Sequence, residues 1–226
     1  MRKIVALTGA GISAESGIKT FRDADGLWEG HDVMEVATPE GWLRNPELVL
    51  KFYNDRRRQL LTVSPNAAHK ALVELEEKFD VDIITQNVDD LHERAGSTTV
   101  THLHGELLKA RSQVNNEMIT SCTTDIKIGD LCESGKQLRP HIVWFGEEVP
   151  MMETAIEKTQ NADIIIIIGT SMQVYPAAGL IQYTKSNTQK FFIDPYPSKV
   201  DSSIEVIAEK ATIGVPLLTK KLLEKY

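Results

Sequence analysis

The sequence predicts an α/β fold built on a mostly parallel sheet. Short apolar runs rich in β-branched residues recur along its 226 residues, and segments of helical periodicity lie between or after them. The most pronounced run, Asp163-Ile164-Ile165-Ile166-Ile167-Ile168-Gly169, is apolar on both faces, as a central parallel strand requires.

The elements follow in order. Ile4 to Leu7 reads as a buried strand entering the tight turn Thr8-Gly9-Ala10-Gly11, and Ala14-Glu15-Ser16 suits the first turn of a short helix. A helix over 66–78 precedes a strand over 81–85, and a short helix follows at 90–95. Helical patterns occupy 151–160, 176–186 and 215–225, with further strands at 190–194 and 204–207. Two stretches break the alternation. Residues 28–62 hold helix formers and turn signals without a clear strand, and residues 108–138 are polar and irregular. Both read as insertions that build a small lobe beside a core of about 1–27, 63–107 and 139–226.

The formal net charge of −7 argues against nonspecific binding of nucleic acid, which needs clustered Lys and Arg. The two cysteines, Cys122 and Cys132, do not make a disulfide scaffold and fit a reducing compartment. The apolar run at the N-terminus stops at Thr8-Gly9, too short for a signal core, and no stretch reaches the ~18 apolar residues of a membrane span. The expected location is cytoplasmic.

Three segments and one further residue carry chemistry. Gly9-x-Gly11-x-x-Ala14, between a strand and a helix, has the dinucleotide-turn pattern in which glycines admit a pyrophosphate; a glycine-rich turn with no ligand fits it equally well. The acidic residue expected roughly 20 positions later is missing, whereas Asp194 ends a later strand and could hold an adenosine ribose hydroxyl. Gln86-Asn87-Val88-Asp89-Asp90 follows a strand end, where amides and carboxylates orient a ribose or a nicotinamide, or where Asn87 or Asp89 caps the next helix. His102-Leu103-His104-Gly105 offers a general base near neutral pH; His69 reads as a helix-packing residue.

Together these blocks resemble the sirtuins. The resemblance lies in Gly9 to Ile18, Thr20-Phe21-Arg22, Thr85 to Asp89, His102 to Gly105, Arg139 to Glu147 and Gly169-Thr170-Ser171, in family order over nearly the whole chain. It implies a Rossmann-like sheet domain with a small inserted lobe, and NAD⁺ meeting acyl-lysine of a protein substrate in the cleft between them. It places Gly9, Ala10, Gly11, Glu15, Phe21, Arg22 and Trp28 around the cofactor turn and its loop. Gln86, Asn87 and Asp89 then hold the nicotinamide end, Gly169, Thr170 and Ser171 the phosphates or ribose, and Asp194 and Ala211 the adenosine. Most sirtuins have Asn where this chain has Asp194. His104, with Asn87 and Asp89, is implied to be catalytic: His104 helps deprotonate a ribose hydroxyl, and the products are lysine, nicotinamide and O-acyl-ADP-ribose. Val143, Trp144, Phe145 and Gly146 resemble the strand that pairs with the substrate backbone by β-augmentation.

Tyr53 and Arg56 lie three apart on an expected helix and share a face, where a phenol and a guanidinium make a carboxylate site. Tyr-x-x-Arg resembles the branch that removes succinyl and malonyl groups, with acetyl removal as a second activity. The bland reading makes Arg56-Arg57-Arg58 a solvated helix face and packs Tyr53 in the lobe. Where most sirtuins carry four zinc-binding cysteines, this chain has Ser112, Asn115, Cys132 and Ser134, so no zinc is expected. The lobe would then rest on packing of Met118, Ile119, Ile126, Ile128 and Leu138. Rival readings are an NAD-dependent dehydrogenase, a general deacetylase, a protein ADP-ribosyltransferase and an NAD or ADP-ribose sensor.

Overall fold

The computed structural model describes residues 1–19, 27–28, 30–116 and 118–226. In chain order, β1 (Arg2–Thr8) is followed by two one-turn 3₁₀ segments at Ala10–Ile12 and Ala14–Ser16. Next come β2 (Leu27–Trp28), β3 (His31–Asp32), α1 (Val33–Val36), α2 (Pro39–Arg44), α3 (Pro46–Leu60) and α4 (Ala67–Leu75). Then follow β4 (Phe79–Thr85), α5 (Leu91–Ala95), β5 (Val100–His102), β6 (Gly105–Ser112), β7 (Ile119–Ser121) and β8 (Leu138–Ile142). The chain closes with α6 (Met152–Asn161), β9 (Ile164–Ile168), β10 (Gln189–Ile193), β11 (Ile204–Ile207) and α7 (Ala211–Lys225).

Six strands form a parallel sheet in the order β11-β10-β9-β1-β4-β5. Alternate residues of β1 and β9 feed opposite faces. Ile4, Ala6, Ile164, Ile166 and Ile168 pack under α4 and α7 through Leu72, Leu75, Val215 and Leu218. Val5, Leu7, Ile165 and Ile167 pack against α6 and the 3₁₀ segment Ala177–Tyr183 through Ala155, Ala177 and Leu180. The isoleucine run is thus buried on both faces, each side chain worth about 2 kcal/mol against exposure. From β1 the chain steps to β4 and β5 on one side, then returns to β9 and β10 on the other. The carboxyl ends of β1, β4 and β9 therefore flank a switch point, where open α/β sheets place ligands.

A second core gathers Val36, Trp42, Leu50, Phe52, Tyr53 and Leu60 against Leu107, Ala110, Ile142 and Trp144. It joins α1–α3 to an antiparallel sheet in the order β7-β6-β8. The irregular reading of 108–138 is corrected here: β6 runs to Ser112 and β8 begins at Leu138. β6 hides its strand signal because Arg111 and Ser112 are buried polar residues, Arg111 paired with Glu147. β5, only three residues long, is also new. Of the expected lobe-packing residues, Ile126 is buried and Leu138 partly so, but Ile119 and Ile128 are exposed. The helix expected over 176–186 is the shorter 3₁₀ segment, and the glycine turn leads into 3₁₀ turns that Gly17 ends at φ 99°.

The first turn and the loop after β9 interlock backbone to backbone. Gly9 and Gly11 amides donate to the Ile168 and Gly169 carbonyls at 2.9 and 2.8 Å. A Cβ on Gly11 would lie 2.6 Å from Gly169 Cα, and one on Gly169, whose φ is +59°, would lie 2.6 Å from Gly11 Cα. The turn's glycines therefore serve first to admit another stretch of this chain. No helix among the described residues is long and apolar enough to cross a membrane.

Replacing Gly169 by Ala should cost about 3 kcal/mol, since it combines a left-handed φ with a backbone clash. Gly129→Ala, with φ +94° but open space around it, should cost only about 1 kcal/mol. Urea melts of the two variants compare the costs; equal values would refute the interlock.

Candidate active site

A cleft of about 840 Å³ opens where β1, β4, β9 and β10 end, lined by the residues that follow them: Gly9, Gln86, Gly169 and Asp194. Its far side is made by α3 and the segment after β8. Such a volume suits a ligand of nucleotide size. Ala10, Gly11, Glu15, Trp28, Asn87, Asp89, His104, Thr170, Ser171 and Ala211 line it too, as do Tyr53, Arg56, Val143, Trp144, Phe145 and Gly146. Phe21 and Arg22 lie outside the described residues.

His104 holds the geometry of a base. Its Nδ1 lies 3.0 Å from the Gln86 carbonyl. A carbonyl only accepts, so Nδ1 carries the hydrogen and Nε2 keeps a lone pair. Burial lowers the ring's affinity for a proton, against the raising effect of the Gln86 bond, and the net shift is downward. The imidazole is thus neutral at pH 7 and able to accept a proton.

Beneath it lies a buried polar network centred on Ser13, a residue without an assigned role in the sequence reading. Ser13 Oγ donates to Asp89 Oδ2 at 2.9 Å and accepts from Asn87 Nδ2 at 3.1 Å. Asp89 also accepts from the Leu91 amide at 3.2 Å. Burial raises the Asp89 carboxyl overall, although the Ser13 and Leu91 bonds oppose it. His69 sits 3.5 Å from Ser13 Oγ and accepts the Asn66 amide at its Nδ1, closing a capping box at the start of α4. Burial pushes His69 down to about 4, so it is a neutral packing residue, as expected. No local spacing joins Ser13 to Asp89, which is why the pairing is not legible from sequence.

Gln86 Nε2 donates to Thr170 Oγ1 at 3.1 Å, linking the loops after β4 and β9. Asp194 is buried and accepts the Tyr196 amide at 2.9 Å. Glu15 accepts from the amide and the hydroxyl of Thr212 and pairs with Lys210. Its carboxylate therefore caps the start of α7 and positions Ala211.

On the far wall, three adjacent arginines have three environments. Arg56 lines the cleft, with its guanidinium 3.5 Å from the Phe52 ring centroid and Nη1 donating to the Phe52 carbonyl at 2.6 Å. Arg57 is fully buried and donates to the Leu107 carbonyl and to Asn54. Arg58 pairs with Asp55 and Asp125 at the surface. Only Arg58 matches a solvated face. Tyr53, fully buried, accepts a hydrogen bond from Trp144 Nε1 at 3.1 Å.

Residues 143–147 do not form a strand, which corrects that expectation. β8 ends at Ile142, and Gly146 has φ +90°. The Val143 amide donates to His104, Phe145 to Ala37, Trp144 to the Glu147 side chain and Glu147 to Trp144. These inward bonds turn the chain away from sheet geometry.

His102 has two acceptors. Its Nδ1 lies 3.1 Å from the Asn87 carbonyl and its Nε2 2.7 Å from Glu93 Oε1. Both bonds need hydrogen on nitrogen, so the ring is an imidazolium. Burial alone would lower His102, but the Glu93 and Asn87 contacts raise it on balance. Burial would raise Glu93, and the His102 bond outweighs it to leave it lowered. The contribution of His102 to stability is therefore full below its ordinary value of 6.5 and fades as pH rises through its raised value. That of Glu93 is full above 4.5 and fades as pH falls through its lowered value. His102→Gln should cost about 1 kcal/mol near pH 6, discounted for solvent at Glu93, and clearly less near pH 9. Thermal melts across pH test this; a pH-independent cost would refute the imidazolium.

Residues 9–176 match the Sir2 family. A protein of Helicobacter pylori named NAD-dependent protein deacylase is 55% identical over 226 residues, covering 99% of both chains. One of the same name from Bacteroides thetaiotaomicron is 52% identical over 231 residues, again covering 99% of both. A solved complex of a Sir2 homologue with NAD superimposes with a TM-score of 0.89 at 40% identity, covering 99% of this chain and 90% of that one. Identity of this extent along the whole chain bears out the resemblance read from its motifs: the chain belongs to the Sir2 family, the sirtuins.

Proposed function

We propose that this NAD-dependent protein deacylase prefers lysine acyl groups that end in a carboxylate, succinyl and malonyl among them, and also removes acetyl groups. The observation that carries the preference is the placement of Tyr53 and Arg56, one helical turn apart on α3, in the wall of the cleft that also holds His104. A guanidinium beside a phenol offers a terminal carboxylate charge-assisted hydrogen bonds. The deacylase reading itself draws on the family match and on the name shared by the closely similar relatives.

The residues present fit NAD⁺ as a consumed substrate. The interlocked glycine turns bring bare backbone to the switch point, and the buried Asp194 carboxylate can accept from ribose hydroxyls. We assign Gly9, Ala10, Gly11, Thr170 and Ser171 to the phosphates and ribose, and Asp194 and Ala211 to the adenosine. NAD⁺ supplies an activated ribosyl carbon with nicotinamide as its leaving group. Asn87 and Asp89, held by Ser13, orient the nicotinamide end and help exclude water. The acyl oxygen bonds to the ribosyl carbon as nicotinamide leaves. His104 Nε2 takes the proton of a neighbouring ribose hydroxyl, which attacks the acyl carbon. One water, admitted only after nicotinamide has left, adds as the C–N bond breaks, so that lysine is released and the acyl group stays on the ribose. To Val143 and Gly146 we assign the main chain of the substrate, through carbonyl groups, since the neighbouring amides are committed inward.

The family's structural zinc does not fit this chain. Cys132 Sγ lies 3.1 Å from Ser134 Oγ, and Ser112 Oγ accepts the Val114 amide at 3.3 Å. The Ser134 and Ser112 bonds lower Cys132 to about 7, but one thiolate among hydroxyls is not the four-thiolate array of such a site. We propose that the lobe folds without metal. Elemental analysis of the purified protein should find well under one zinc per chain; stoichiometric zinc would overturn this.

Paired succinyl-lysine and acetyl-lysine peptides with NAD⁺, followed by mass spectrometry, test the preference. Succinyl should turn over faster, and Arg56→Met should remove that advantage by roughly 10- to 100-fold. A better acetyl substrate would make this a general deacetylase. His104→Ala should abolish deacylation while NAD⁺ still binds. In the wild type, kcat should fall on the acid side as His104 protonates, at a pH below the ordinary imidazole value.

A further inference from the structure

On the premise that the Tyr53–Arg56 pocket takes a carboxylate, we infer that Trp144 sets acyl specificity by locking the Tyr53 hydroxyl as a donor. The indole Nε1–H reaches Tyr53 Oη at 3.1 Å, and both side chains are buried. A phenol oxygen carries one hydrogen and two lone pairs, whereas an indole N–H only donates. Trp144 therefore fills a lone pair of Tyr53 and cannot take its hydrogen. That hydrogen has no acceptor among the described residues. A carboxylate supplies one; the methyl end of an acetyl group does not. Burial pushes the ionisation of Tyr53 well up, so the hydroxyl keeps its hydrogen.

Trp144 is itself held rigidly. Its amide donates to Glu147 Oε2 at 2.8 Å, and the Arg139 guanidinium lies 3.2 Å from its ring centroid. Arg139 also donates to Glu147 Oε1 at 2.7 Å. The Trp144 backbone and the stacked side of its ring are thus held before any substrate arrives, so little orientational freedom remains for the phenol to lose on binding. Trp144 acts through Tyr53 and is a positioning residue for the acyl end.

The test is a double-mutant cycle of Trp144→Phe and Tyr53→Phe, read as the ratio of kcat/KM for succinyl-lysine to that for acetyl-lysine. Trp144→Phe should lower the ratio about tenfold, mainly through KM for the succinyl peptide. In the Tyr53→Phe background the same change should lower it no further, because no hydroxyl remains to be oriented. Replacing Trp144 by 3-benzothienylalanine keeps the ring's shape without its N–H and should match the Phe variant, which separates the hydrogen bond from packing. A wild-type ratio in the benzothienyl protein, or an equal loss in both backgrounds, would overturn the role of Trp144 while the carboxylate pocket stands. A wild-type enzyme without succinyl preference would sink the pocket, and this inference with it.

Discussion

Everything at the switch point depends on the contact between the Gly9–Gly11 turn and the Gly169 backbone. Two hydrogen bonds tie these loops at a separation where no Cβ fits on either side. Because β1 and β9 are neighbours and each is buried on both faces, the strands cannot yield to let a side chain in. The loops must then meet as bare backbone, and the loop after β4 is drawn to the same point through Gln86 and Thr170. A ligand cradle follows from how tightly three strand ends can be brought together.

Below that cradle the polar residues share donors and acceptors, with His92 Nδ1 left buried and unmatched among the described residues. Ser13 gives its one hydrogen to Asp89 and receives one from Asn87. His92 meets Thr8 Oγ1 at 3.0 Å and lies edge-on to His69, with ring centroids 4.9 Å apart. Burial, followed by the neighbouring His69 and His102, holds His92 well below the ordinary value, so this layer carries little charge. The two histidines with working hydrogen patterns, His102 and His104, differ by their partners alone. A carboxylate plus a carbonyl makes one a cation; a lone carbonyl leaves the other a base.

The parallel sheet was legible because its strands are apolar on both faces and end in glycine or polar turns. The site blocks were legible because they sit at those ends. What escaped has a common cause: it depends on contacts distant in sequence. β6 hid behind Arg111, a charge buried only because Glu147 lies beside it. Residues 143–147 suggest a strand only because they resemble the family's substrate-pairing segment, yet their amides find acceptors at Ala37, His104 and Glu147. The Ser13–Asp89 bond spans 76 positions. The run Arg56-Arg57-Arg58 could not be divided from composition, since only the tertiary surroundings of each arginine separate them.

That division has a consequence for how α3 can change over time. Successive residues on an α-helix are rotated by about 100°, so one guanidinium faces the cleft, the next the lobe interior and the third the solvent. Inserting or deleting a single residue upstream in α3 would leave the composition almost untouched and the helix intact. It would nevertheless hand each arginine its neighbour's surroundings, stripping Leu107 and Asn54 of their buried donor and turning a different side chain toward the cleft. The helix therefore tolerates substitution position by position but not a shift in phase, and its length up to Arg58 is as constrained as any residue it carries.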